Sequence, residues 1–276
     1  PAELAAWCAA NNVPLVHYST DYVYGGRGVT PFDEHSACEP DNVYAQTKLA
    51  GEQAIAASAC THLIFRTSWV YGVRGKNFLN TMLALAETKP QLGVVNDQIG
   101  APTPASMIAA VTLATLAKAR SVDQLAACSG IYNLAPSGFI SWHTFAEAIM
   151  AQRAAMTDKQ GPQVNAIPTS DYPTAASRPL NSRLDCTKLS NTFGWHQPDW
   201  REQLQTVMNE RLSGLQEPAR VDLQPSYPES AGSVQDLISP ARPETPCPQV
   251  RPAPFRAIAS GQDNSGRARS TEMKPA

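Results

Sequence analysis

Three consecutive segments restrict what this chain can fold into. VPLVHYST (residues 13–20) is a short apolar run of strand-forming residues followed by Gly25-Gly26, which predicts a buried parallel strand leading into a loop. Pro40-Asp41-Asn42 then supplies a helix start, and Tyr44, Leu49, Ala50 and Ile55 fall at helical spacing, predicting a helix from about Asn42 to Ala59. HLIFRTSWVYG (residues 62–72) reads as a second strand ending at Gly72. Strand, loop, helix and strand in that order mark an α/β fold, a Rossmann-like doubly wound parallel sheet with helices on its faces. Ligands then lie beyond the C-terminal ends of the strands.

The rest of the chain fits this frame. PAELAAWCAANN opens with helical spacing, with Leu4, Ala5, Trp7 and Cys8 on its apolar side. Further helices are predicted over 77–88, 106–119, 142–153 and 200–212, with a short strand near 130–134. From Ser213 the periodicity stops and ten of the 23 prolines fall in the last 64 residues. Residues 1–212 are therefore read as the folded domain and 213–276 as a disordered Pro/Ser-rich tail. A Pro-recognising partner for that tail is disfavoured, because no basic-flanked PxxP repeat stands out.

Several function classes fall away on composition. A net charge of −2 offers no basic field for a phosphate backbone, so nucleic acid is not an expected partner. The six cysteines are scattered without CxxC spacing, which fits neither a zinc site nor a disulfide framework and predicts reduced thiols in a cytoplasmic protein. No apolar run approaches the ~20 residues needed to cross a bilayer, and no basic-then-apolar leader opens the sequence, so no membrane association is expected.

Chemistry concentrates in Tyr44-Ala-Gln-Thr-Lys48. The YxxxK spacing puts a phenol and an ammonium on one helical face, one turn apart. A phenol is a poor acid-base group at neutral pH, but a neighbouring cation favours the phenolate and makes the group a competent proton donor to a carbonyl. On its own this spacing more often marks a solvated helix face. The preceding strand changes that weighting, because it ends in Ser19-Thr20-Asp21 and sets small hydroxyls at the sheet edge, where Thr20 could bond the same carbonyl or the Tyr44 phenol.

YSTDYVYG, VYAQTKLAGE, LIFRTSWVYG, NDQIGAPT and SRPLNSRLD, in that order between about Asn12 and Glu210, resemble the dTDP-4-dehydrorhamnose reductase family of the extended short-chain dehydrogenase/reductases. The resemblance implies NADPH- or NADH-dependent reduction of dTDP-4-dehydro-L-rhamnose to dTDP-L-rhamnose, a smaller substrate-binding lobe, and a homodimer as one assembly. It implies that Tyr44 donates the proton, that Lys48 holds the nicotinamide ribose and tunes Tyr44, and that Thr20 assists. Ser19 would lie with Tyr44 and Lys48 at the cofactor. Thr20, Asp21 and Trp69 would contact the dTDP-sugar, with Gln98 and Thr103 lining the junction between nucleotide layer and lobe.

Arg178 and Arg183 suit a diphosphate, since a planar guanidinium meets two oxygens at once, although surface ion pairing is the bland alternative. Trp69 has a bland alternative too, as strand-end packing. His17 and His62 lie in apolar strands and read as packing rather than bases. Related sugar-nucleotide dehydratases carry a glutamate directly after the Thr-Asp. Tyr22 stands there here, which favours simple carbonyl reduction over elimination of water.

No GxGxxG occurs in the sequence, and Gly25-Gly26-Arg27-Gly28 follows the wrong strand and opens no helix. The family's opening strand and glycine-rich turn would precede Pro1, so the sequence is read as N-terminally truncated, with apolar sheet edges left unpaired. A metal cannot be traced residue by residue, and none is assigned. Two functions follow: the reductase, or a non-catalytic nucleotide-binding subunit resembling the regulatory subunits of methionine adenosyltransferase.

Overall fold

The structure is a computed structural model that describes residues 1–119, 121–174 and 176–212. The tail expected over 213–276 lies outside the described residues.

In chain order the elements are α1 (Ala2–Ala10), β1 (Leu15–Thr20), α2 (Val43–Ala57), β2 (His62–Thr67), β3 (Val70–Tyr71), α3 (Phe78–Leu85), β4 (Gln91–Val95), β5 (Ile99–Gly100), β6 (Thr103–Pro104) and α4 (Ala105–Lys118). They continue with α5 (Val122–Ala126), β7 (Gly130–Asn133), β8 (Ile140–Ser141), α6 (Trp142–Thr157), β9 (Gln163–Ile167), β10 (Asn181–Ser182), α7 (Thr187–Phe193) and α8 (Trp200–Leu212). The main sheet runs β1-β2-β7, all parallel, with Leu15 opposite His62 and Thr20 opposite Thr67.

Alternation along the central strand explains how one sheet carries two cores. Leu63, Ile64 and Phe65 of β2 are all fully buried. Leu63 and Phe65 pack with Met107, Ile108 and Val111 of α4, while Ile64 packs with Ala5 and Cys8 of α1 and Ile55 of α2. A third core belongs to the smaller lobe, where Leu79, Leu92, Val94, Phe145, Ile149, Leu204 and Met208 come from α3, β4, α6 and α8.

Local chemistry starts the helices where the sequence predicts. The Asn42 side chain accepts from Ala45 N at 2.9 Å to open α2, Asn77 accepts from Asn80 N at 3.1 Å to open α3, and Ser141 accepts from Thr144 N at 3.0 Å to open α6. Each such cap is worth about 1 kcal/mol.

Three expectations are corrected. The segment 62–72 is not one strand: the backbone breaks at Trp69, whose φ is 49°, and β3 leaves the main sheet to pair with β6. Left-handed backbone costs a side-chain-bearing residue about 1–3 kcal/mol, so the surroundings must hold it there. In α1, Ala5 and Cys8 are buried, but Leu4 is 61% and Trp7 57% exposed. The helix therefore buries a narrower stripe than its apolar residues offered. β1 is likewise less buried than expected, because among the described residues it pairs only with β2 and its Tyr18 is 43% exposed.

The 22-residue-long connection from β1 to α2 is tied down across its length. A 3₁₀ turn over Asp21–Tyr24 ends at Gly25 in left-handed backbone (φ 76°), where a Cβ would come 2.5 Å from the Glu39 carbonyl oxygen. Glu34 accepts from Asn133 N at 2.7 Å, the Phe32 carbonyl accepts from Asn133 Nδ2 at 2.8 Å, and the Phe32 ring lies parallel on Tyr24 at 4.9 Å.

Candidate active site

The C-terminal ends of β1 and β2, the turn after β1 and the first turns of α2 come together. Ser19 and Thr20 are buried at the end of β1. The Thr20 hydroxyl donates to Asp21 Oδ1 at 3.0 Å and accepts from Tyr22 N at 3.2 Å, so it caps the 3₁₀ turn in this structure. Tyr44 stands on the first turn of α2, 55% exposed, its ring edge-on to Tyr22 at 5.8 Å. Lys48, half-buried one turn on, donates from Nζ to the Tyr18 carbonyl of β1. Burial lowers the Lys48 pKa and the Glu52 carboxylate, one turn further along α2, raises it in opposition.

Behind this turn lies a buried ion pair that the sequence did not reveal. Arg66 of β2 donates from Nε to both Glu52 carboxylate oxygens at 3.1 and 3.2 Å, and from Nη2 to Oε2 at 2.6 Å. Its guanidinium also sits 4.8 Å from the centre of the Tyr24 ring, whose hydroxyl donates to Asn133 Oδ1 at 2.9 Å. Burial pushes the Tyr24 phenol up to about 12. The pair joins α2 to the central strand, with Glu52 one turn further along the helix than Lys48.

Asp21 is buried, and burial pushes its carboxyl up to about 6 against the pull of the Ser182 and Thr20 hydroxyls. Below pH ~4 the carboxyl is protonated in both folded and unfolded chains. Between pH ~4 and ~6 only the folded chain keeps the proton, so stability falls as pH rises and the penalty is complete above ~6. Asp21→Asn therefore gains about 1–3 kcal/mol over the parent at pH 8, and the gain shrinks toward zero below pH 4. Denaturant unfolding at both pH values checks this. A gain independent of pH would show that the buried charge is not its source.

The SRPLNSRLD segment reaches the site at one end. The Ser177 carbonyl accepts from Asn42 Nδ2 at 3.5 Å, and the charge of Arg178 acts on Tyr22, offsetting part of the rise that burial gives that phenol. Arg178 is exposed, whereas Arg183 is half-buried and donates from Nη1 to Asn181 Oδ1 at 2.9 Å. Gln98 is buried and donates to Thr169 Oγ1 at 3.1 Å. Thr103 is fully buried and donates to the Ala101 carbonyl at 3.1 Å. Trp69 is half-buried, with its ring parallel to Trp142 at 3.7 Å. His17 is half-buried, and burial lowers its pKa. His62 is half-buried too, its Nδ1 2.8 Å from the Cys60 carbonyl.

Among the described residues, no group of three or more His, Cys, Asp or Glu side chains could hold a metal ion, and no helix is long and apolar enough to cross a membrane. The five described cysteines are free thiols.

This arrangement has many relatives. The profile of the RmlD substrate binding domain matches residues 1–213. The chain belongs to that family. Similar curated proteins include the dTDP-4-dehydrorhamnose reductase of Shigella flexneri, 43% identical over 209 residues that cover 75% of this chain and 67% of the relative. The dTDP-4-dehydrorhamnose reductase of Escherichia coli K12 is 42% identical with the same coverage. Among solved structures of the same enzyme name, that from Bacillus anthracis, in complex with NADP, superposes with a TM-score of 0.68 at 30% identity, covering 76% of this chain and 70% of that one. The dTDP-4-dehydrorhamnose reductase structure from Clostridium acetobutylicum gives 0.68 at 32% identity with equal coverage.

Proposed function

We propose that this chain reduces dTDP-4-dehydro-L-rhamnose to dTDP-L-rhamnose, as the cytoplasmic reductase of dTDP-rhamnose synthesis. The observation that carries the reading is the Tyr44/Lys48 turn at the end of β1, beside Thr20, in a chain 43% identical to a relative named for that reaction. The Tyr44 phenol, exposed at the mouth of the site, gives its proton to the sugar's carbonyl oxygen as the carbonyl carbon is reduced. Lys48 supplies a cation one turn further along α2. Its Nζ stays anchored on the Tyr18 carbonyl, which fixes that charge relative to the strand end.

NADPH or NADH, when bound, supplies the hydride. The residues present fit such a ligand at the strand ends, where the Ser19 and Thr67 hydroxyls are buried without a hydrogen-bond partner in the protein. Buried polar atoms of this kind normally meet water or a ligand. Ser19 and Lys48 are therefore assigned to the cofactor together with Tyr44. With no GxGxxG in these 276 residues, no side is assigned to the pyrophosphate.

Thr20, Asp21 and Trp69 are assigned to the sugar nucleotide, with Gln98 and Thr103 shaping the junction behind them. Arg178 is the better placed of the two arginines for the diphosphate, since it is exposed while Arg183 is already engaged by Asn181. The test is oxidation of NADPH or NADH in the presence of the dTDP-keto-sugar. It is run on this chain and on the chain joined to the N-terminal segment of a relative. Turnover by either supports the reading. None by either, with the nucleotide still bound, sinks it in favour of a binding subunit.

A further inference from the structure

Trp69 stands where the chain leaves the main sheet, in left-handed backbone (φ 49°) that favours glycine. Nothing in its own dihedral preference holds it there, so the restraint must come from its neighbours. Its carbonyl accepts from Thr103 N at 3.2 Å, which fixes the peptide. The indole is fixed separately. One face meets the Trp142 ring at 3.7 Å and 12°, a near-parallel stack. Against its benzo edge lies Gly100, where a Cβ would come 2.8 Å from Trp69 Cε2 and 3.0 Å from Cζ2, so only a glycine leaves room for the ring.

Gly100 lies in a small sheet, and Trp142 is carried at its margin. Gly100 ends β5 and Trp142 follows directly on β8, which pairs antiparallel with β5. On its other side β5 pairs with β10, next to Arg183. Trp142 is itself held as the first residue of α6 by the Ser141 cap and by Phe78, whose ring centre lies 4.5 Å away. The indole of Trp69 is thus set by β5 and α6, while its backbone, between β2 and β3, is held by Thr103 of β6.

We propose that Trp142, together with Gly100, is a positioning residue for substrate: the two restrain Trp69 so that the remaining surface of its indole meets the sugar nucleotide in one orientation. The proposal rests on the reading of Trp69 as a substrate contact. Trp142 touches no reacting atom in this scheme. It acts through Trp69, by removing the rotamer freedom that a half-buried tryptophan would otherwise lose on binding.

The experiment measures binding of dTDP-L-rhamnose to the whole chain by calorimetry, for the parent, Trp142→Phe, Trp142→Ala and Gly100→Ala. Near-UV circular dichroism reports the indole stack, and thermal melts report folding. Trp142→Ala abolishes the stacking signal and weakens binding about tenfold, the scale of one aromatic stacking contact. Trp142→Phe keeps a ring against Trp69 and holds affinity within about threefold of the parent.

Gly100→Ala, which crowds the indole at Cε2 and Cζ2, weakens binding without touching Trp142, and keeps the idea open to refutation should Trp142→Ala not fold. Folded variants that lose the stack yet bind like the parent overturn the proposal alone. A parent chain that does not bind dTDP-L-rhamnose overturns both the proposal and the reading of Trp69 beneath it.

Discussion

Replacing Tyr44 by Phe lowers kcat for the dTDP-keto-sugar by about 10²–10⁴-fold, the range of a positioned proton donor, while nucleotide affinity and stability stay near the parent's. The fold has little stake in this side chain: it is 55% exposed, and its ring contact is an edge against Tyr22 that Phe preserves. The substitution removes one oxygen and its proton and leaves α2, the Lys48 anchor and the strand end in place. A steady-state assay on a turning-over form of the chain, with a melt alongside, separates the two effects. A variant that reduces the sugar as fast as its parent would remove Tyr44 from the chemistry.

The second large effect is on stability. Arg66→Met strands the Glu52 carboxylate, 1% exposed, without the three hydrogen bonds it now accepts. Breaking a buried pair from one side costs about 3–5 kcal/mol, because the remaining charge has no partner and no water. Against a typical total of about 5–15 kcal/mol, the chain loses a large share of its margin. Taking both charges away, as Arg66→Met with Glu52→Leu, recovers most of the loss, since the desolvation penalty leaves with the charges. Denaturant unfolding of parent, both singles and the double gives the coupling directly. A loss below about 1 kcal/mol in Arg66→Met would mean that the site admits water.

What the sequence made legible was local. Asn42 and the spacing after it place the start of α2 within a residue, because a cap and a helical period are written in neighbouring positions. The same holds for α3, α6 and α8. The break at Trp69 had no such signal: a bulky aromatic within a run of strand formers argues for continuing the strand, and only the contacts from Gly100, Trp142 and Thr103 reverse that preference. Glu52 and Arg66 went unnoticed for a related reason. They lie on different elements, and each looks like a surface charge until the parallel pairing of β1 and β2 sets α2 over the strand. The two-residue strands β5, β6, β8 and β10 are shorter than any periodic pattern can mark.

The stitching between Asn133 and the connection that leads from β1 to α2 has a consequence for how the site works. Glu34 and Phe32 hold that long excursion against β7, so the chain enters α2 at a set place. Such a wall is preorganised: arriving sugar nucleotide need not spend interaction energy on ordering the loop. More of that energy is then free to discriminate one ligand from another.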